Sequence, residues 1–194
     1  MSTWSARYVR LRPGPDRAGD AARLAKHVDA DAELVDDGRS SFAVWLVSAP
    51  TFQPEDLTAL SKDFGAAIAL AVQTVADLVV YDHFVDGARV RGLTYAGEAG
   101  WVRVAGESEP WESSALFSKT RLAEVREQLE EDFEGDELAR QTAELERMWS
   151  VGKVVEGSPR PMVDPSGVAR SIETHFGLPA KPAGFPMSGT MPHL

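Results

Sequence analysis

The alternation of apolar and polar residues is clearest between Ala66 and Glu112, where it predicts a β-meander. Two runs rich in β-branched and aromatic residues, 78–85 and 88–95, form its centre. Asp86-Gly87 separates them, and this dipeptide between alternating hydrophobic residues is typical of a two-residue hairpin turn. The hairpin therefore predicts the middle of an antiparallel sheet.

A two-residue turn also fixes which residues face each other across the hairpin. Counting outward from the turn predicts Phe84 opposite Arg89 and Asp82 opposite Arg91. The second pair would join opposite charges across the strands, which contributes about 0.2–1 kcal/mol. We interpret it as a contact that fixes the register rather than as a functional site.

Outside the meander, the pattern predicts strands near 6–12 and 41–48 and a helix at 55–64. From 119 onward the apolar period changes to the 3.6 residues of a helix. We therefore predict an α+β fold with an antiparallel or mixed sheet of about five to six strands. The meander lies at its centre, and the C-terminal helices pack on one face.

The same pattern suggests three parts: a sheet domain at 1–116, a helical subdomain at 117–178 packed on it, and a Pro/Gly-rich tail at 179–194. The tail lacks periodicity but carries apolar side chains. We expect Phe185 and Met187 to anchor it in a groove of its own domain or on a partner. The alternative is a frayed terminus.

Composition narrows the classes of function. The net charge of −10 argues against a nucleic-acid binder, which would concentrate Lys and Arg. Cysteine is absent, and the apolar runs are shorter than the roughly 18 residues of a membrane span. We interpret the chain as an acidic cytoplasmic protein without membrane contact.

The motifs of common cofactor and metal sites do not occur. The sequence has no dinucleotide GxGxxG and no HExxH, and Val154 follows Gly152-Lys153 where a P-loop requires Ser or Thr. The four histidines lie far apart along the chain. We therefore expect no cofactor and no metal.

One group of residues could carry acid–base chemistry. Glu109 and Glu112 lie among aromatic residues, and Tyr81 and His83 belong to the neighbouring hairpin. Carboxylates beside aromatic surface can have raised pKa values and act as general acids or bases. The alternative is structural, because such Glu residues more often lie on a solvated loop. In that case Trp101 and Trp111 would anchor a sheet edge against a helix. If the protein instead binds a partner, we expect Trp101 and Trp111 to contact it.

Several runs stand out along the second half of the chain: Asp86-Gly87-x-x-Val90-Arg91-x-Leu93-x-Tyr95, Trp101, Gly106-Glu107-x-Glu109-Pro110-Trp111-Glu112 and Val168-Ala169-x-x-Ile172-x-x-x-Phe176-Gly177-Leu178-Pro179. In these residues the chain resembles a group of small bacterial cytoplasmic proteins to which no activity is assigned. The hairpin followed by G-x-x-x-PWE is also similar to segments of small adaptor and immunity-like bacterial proteins. The resemblance implies binding rather than catalysis and transfers no catalytic residue.

Two hypotheses follow. The leading one is a non-catalytic protein that binds another protein or a second copy of itself, as an adaptor, scaffold or immunity-like protein. The alternative is a small enzyme with a Glu/His acid–base site in the meander. Convergence of Tyr81, His83 and Glu109 or Glu112 in one concave pocket would favour the enzyme.

Overall fold

A computed structural model describes residues 3–28, 32–47, 54–156 and 163–182. The six strands are β1 (Thr3–Arg10), β2 (Phe42–Leu46), β3 (Ala66–Gln73), β4 (Leu78–Val85), β5 (Ala88–Ala96) and β6 (Gly100–Gly106). The six α-helices are α1 (Arg17–Leu24), α2 (Pro54–Phe64), α3 (Pro110–Leu116), α4 (Lys119–Asp132), α5 (Gly135–Val151) and α6 (Pro165–Phe176). Short 3-10 turns precede α1 and β6.

The strands form one sheet in the order β2-β1-β3-β4-β5-β6. Every pairing between neighbouring strands is antiparallel, and β3 to β6 form the meander. The predicted α+β class is therefore confirmed. All but the last residue of β3 are buried, as expected for a strand covered on both faces.

Helices cover both faces of this sheet. Leu57, Leu60 and Phe64 of α2 pack with Trp45 and other buried residues on one face. On the opposite face, residues of α3 and α6 pack against the sheet, including Trp111 and Ile172. The molecule thus has two hydrophobic clusters separated by the sheet, and the second cluster holds α3 in place.

The predicted register of the β4–β5 hairpin is correct only beside the turn. Phe84 faces Arg89 as predicted, but His83 then faces Arg91, because Val90 forms a β-bulge. The predicted Asp82–Arg91 pair is therefore wrong, and Asp82 faces Gly92 instead. The extra residue shifts every later pairing by one.

Helices α4 and α5 differ from α6 in their packing. Both hydrophobic clusters include residues of other helices, but neither includes a described residue of α4 or α5. The two helices pack mainly on each other, and Trp149 of α5 donates from Nε1 to the carbonyl of Ser118 at 3.1 Å. They form a helical hairpin beside the sheet, which we call the α4–α5 hairpin.

The first residues of the predicted tail contact the domain. Pro179 is buried, and the Lys181 ammonium lies 3.9 Å from the centre of the Trp4 ring and pairs with Glu173. The proposed anchors Phe185 and Met187 lie outside the described residues. Among the helices that are described, none is both long enough and apolar enough to cross a membrane.

Candidate functional site

The bulge at Val90 decides which side chains meet on the α3 side of the sheet. Directly paired residues of antiparallel strands point to the same face. Arg91 therefore shares a face with its partner His83, and Tyr81 lies on that face two residues away. Without the bulge, Arg91 would point to the opposite face.

The start of α3 brings two carboxylates to this face. Glu109 is extended just before the helix, and Pro110 occupies the first helical position, where its missing N–H costs nothing. Glu112, one turn later, accepts a hydrogen bond at 2.8 Å from the backbone N–H of Glu109. This bond is part of a capping box that closes the first turn of α3.

Glu112 forms a buried ion pair with Arg91. The guanidinium donates twice to the carboxylate, from Nε to Oε1 at 2.8 Å and from Nη2 to Oε2 at 2.6 Å. Its Nη1 donates to the carbonyls of Ala105 and Gly106 at 3.2 and 2.8 Å. Both side chains are only 1% exposed. The hydrogen bonds of this pair therefore connect α3 to β5 and β6.

Glu109 accepts three hydrogen bonds. Tyr81 donates from its hydroxyl at 2.5 Å and Trp111 from Nε1 at 2.8 Å, both to Oε2. His83 Nδ1 lies 2.6 Å from Oε1. Burial alone would raise the pKa of Glu109, but the bonds from His83, Tyr81 and Trp111 outweigh it and lower the pKa. Glu109 is therefore a carboxylate at neutral pH.

Tyr81 is protonated beside this carboxylate. Burial, followed by the negative charge of Glu109, raises the pKa of Tyr81 well above its usual value. The ring also packs edge-to-face against Trp111, with centroids 5.4 Å apart. Tyr81 can therefore donate a hydrogen bond here but does not act as a base near neutral pH.

His83 is the member of the cluster with an unused ring nitrogen. Because Glu109 is ionised, Nδ1 carries the proton and donates to it. Within the described ranges, Nε2 has no hydrogen-bond partner. The ring packs edge-to-face on Phe176 of α6 at 5.0 Å, and the side chain is 11% exposed. A carboxylate that orients an imidazole in this way can support a general base.

The opposite face of the hairpin carries a separate ion pair. Asp82 accepts two bonds from Arg103 of β6, at 3.0 and 2.8 Å. Its side chain is 4% exposed and that of Arg103 is 32% exposed. Arg89 of β5 also lies 3.0 Å from Asp82, so Arg89 and Arg103 together take the place that the sequence pattern gave to Arg91. The sequence pattern did not predict Arg91 in the site, because Gly106 is the residue that signals the bulge and it does so only weakly.

Gly106 is required where β6 passes the bulge. Its φ is +77°, and a Cβ atom there would lie 2.0 Å from the carbonyl oxygen of Val90. Only glycine fits this close approach. The glycine of the Gly106-Glu107-x-Glu109 run is therefore a signal for the bulge, although the run alone does not reveal it.

The two tryptophans expected to contact a partner lie in the interior of the structure. Trp101 and Trp111 are each 2% exposed and belong to the hydrophobic cluster under α3 and α6. Trp101 packs against Tyr95, and Trp111 against Tyr81. Both side chains therefore pack within the hydrophobic cluster, and their contact with a partner stays a prediction.

Comparisons of the chain with protein-family models, with curated protein sequences and with solved structures give no match. Within the described part of the chain, no three His, Asp or Glu side chains lie close enough together to hold a metal ion. Tyr81, His83 and Glu109 form one hydrogen-bonded group, and Glu112 joins it through the backbone N–H of Glu109.

Proposed function

We propose that this protein is a non-catalytic binding protein whose α4–α5 hairpin docks on a basic surface of another protein. The observation that carries the proposal is the exclusion of this hairpin from both hydrophobic clusters. The proposal includes a bacterial, cytoplasmic location, which rests on the resemblance of the 86–112 segment to bacterial proteins.

The apolar side chains of the hairpin are incompletely covered. Only Val125 of α4 and Leu145 and Met148 of α5 are buried. Five further large apolar side chains are half-buried: Leu122, Leu129, Phe133, Leu138 and Trp149. An amphipathic helix normally buries its apolar stripe against a core. The partial burial of these side chains supports a surface that becomes buried when a partner binds.

The charge of the hairpin supports a basic partner. Between 119 and 151 there are ten acidic and five basic residues. Four of the five basic residues already pair with Glu inside the hairpin, at Arg121–Glu124, Arg126–Glu146, Arg140–Glu137 and Arg147–Glu144. Glu130 and Glu131 are exposed and have no ion pair within the described residues. Surplus carboxylates attract a positive surface and repel a second copy of the same hairpin.

The basic N-terminal segment does not complement the hairpin. Three arginines of residues 3–28 bind carboxylates of the first 56 residues instead, in the pairs Arg7–Asp56, Arg12–Asp20 and Arg17–Asp36. A second copy would therefore have to break these contacts to offer them to the acidic helices. This favours a different protein over self-association.

The test begins with capture of partners from bacterial extract by the full chain, followed by calorimetry with the purified partner. The double substitution Glu130→Lys and Glu131→Lys should weaken binding at least about tenfold, because it reverses two exposed charges. The control is Glu55→Lys with Asp63→Lys, the same charge change at exposed positions of α2.

Equal binding by the two double variants would overturn the proposal. A dimer of the chain in analytical ultracentrifugation that dissociates on Glu130→Lys and Glu131→Lys would also contradict it, because the hairpin would then bind its own copy. Circular dichroism of each variant checks that the helices remain formed.

A second candidate function, an enzyme with an acid–base site, is favoured by the 2.6 Å contact between Glu109 and His83. Its weakness is that Tyr81, Glu109 and Glu112 are all engaged in internal hydrogen bonds, which leaves His83 Nε2 as the reactive atom. Diethyl pyrocarbonate labelling followed by mass spectrometry tests access to that nitrogen. Labelling of His83 as readily as the exposed His175 would support the enzyme, and labelling of His175 alone would exclude it.

A further inference from the structure

A groove of about 530 Å³ lies between α3 and α6. Pro110 and Ser114 line it from α3, and Arg170, Thr174 and His175 line it from α6. These α6 residues recur at helical spacing, so they form one face of the helix. The groove is separate from the α4–α5 hairpin, and its volume is within the range of roughly 300–1,000 Å³ of small-ligand sites.

The walls of the groove are fixed by buried contacts. Helix α3 is held by the Arg91–Glu112 pair and by Trp111, which is 2% exposed. Helix α6 buries Val168 and Ile172 in the hydrophobic cluster. Binding of a ligand would therefore cost little free energy for ordering the protein.

The lining carries one fixed positive charge, that of Arg170, although the protein is strongly acidic. It contains one arginine, one histidine and three hydroxyl side chains, and none of the described lining residues is a carboxylate. Arg170 has one nearby carboxylate, that of Asp164 at 3.6 Å, in an exposed contact outside the lining. Glu173 points elsewhere, to Tyr8 and Lys181. A cation in a lining without a carboxylate, on a chain of net charge −10, favours an anionic group of a ligand at this place.

Small residues leave the groove open and supply hydrogen-bond groups. The hydroxyls of Ser114 and Ser171 each donate at 3.0 Å to a carbonyl of their own helix and can rotate toward a bound oxyanion. Arg170 can offer two parallel N–H bonds to a phosphate or carboxylate. The exposed ring of Pro110 adds apolar surface for the organic part of a ligand.

We propose that the α3–α6 groove binds a small organic anion, with Arg170 as the main contact to its phosphate or carboxylate group. The ligand is a molecule with one oxyanion and a compact apolar part. This site is independent of the proposed docking of the α4–α5 hairpin.

The test is a titration of the ¹⁵N-labelled full chain by NMR with phenyl phosphate, with benzoate and with uncharged benzyl alcohol. Phenyl phosphate or benzoate should give saturable shifts of amides in α3 and α6, and benzyl alcohol should not. The tighter of the two anions identifies the oxyanion that the groove prefers.

Arg170→Gln should weaken this binding about tenfold, as expected for loss of a charge-assisted contact. Arg140→Gln is the matched control, because both arginine side chains are 73% exposed and the charge change is the same. Equal weakening by the two variants would overturn the proposal, since it would show attraction by net charge alone. Absence of saturable shifts with either anion, or equal binding of benzyl alcohol, would also overturn it.

Discussion

Two regions of this chain each contain an Arg–Glu ion pair, but one pair is buried and the other is exposed to water. At the start of α3, Arg91 and Glu112 pair with each side chain 1% exposed. In the α4–α5 hairpin, Arg126 and Glu146 pair at 44% and 56% exposure. Water screens the second pair and leaves it replaceable, whereas the first pair cannot lose one member without burying an unpaired charge. Position in the fold, rather than residue type, separates a structural contact from a surface available to a partner.

The largest expected effect comes from breaking the buried pair. Glu112→Ala should lower the free energy of unfolding by about 3–5 kcal/mol, because Arg91 would remain buried without its carboxylate. Glu146→Ala is the control in the hairpin and should change stability by less than about 1 kcal/mol. Urea denaturation measures both. Similar losses of unfolding free energy in the two variants would contradict the distinction between the buried pair and the exposed pair.

The bulge gives a second way to compare the regions. Gly106→Ala should destabilise the protein by more than about 2 kcal/mol, because its Cβ would overlap the Val90 carbonyl and its φ is positive. Gly135→Ala, at the start of α5, also has positive φ but has no atom within 4 Å of the new Cβ. It should cost about 1 kcal/mol. Equal thermal midpoints would show that the close approach at Gly106 does not exist.

A smaller effect is expected from the ionisation of Glu109. Its pKa is lower in the folded protein than the ordinary value of 4.5, so its charge stabilises the fold above that pH. This stability is lost as the pH falls through the lowered pKa. The difference in unfolding free energy between the wild type and Glu109→Gln should therefore be largest at neutral pH and shrink below about pH 4.5. A difference that stays constant with pH would mean that Glu109 is not held as a carboxylate.

The sequence predicted the main elements of the fold because the period of apolar residues is local information. It also named Tyr81, His83, Glu109 and Glu112 as one possible site, and the structure brings them together. The bulge at Val90 was not predictable in this way, since it depends on how β6 passes β5. One extra residue moved Arg91 to the other face and changed its partner from Asp82 to Glu112.

The groove between α3 and α6 was also beyond the sequence pattern. Pro110 and Arg170 are far apart along the chain, and they line one groove only because both helices pack on the same face of the sheet. The excess of acidic residues in α4 and α5 can be read from the sequence. The exclusion of these two helices from the hydrophobic clusters cannot. The spacing of apolar residues predicts that one face of a helix is buried, but it does not identify the surface that covers this face.

Hydrogen exchange of the full chain, followed by mass spectrometry, tests the central claim most directly. Because α4 and α5 lie outside the hydrophobic clusters, their amides should exchange through local opening, well before those of β3, β4 and α6. Addition of the purified partner should then protect 119–151 more than any other segment. Protection of α4 and α5 equal to that of β3 in the free protein would contradict the account, because the hairpin would then be part of the core.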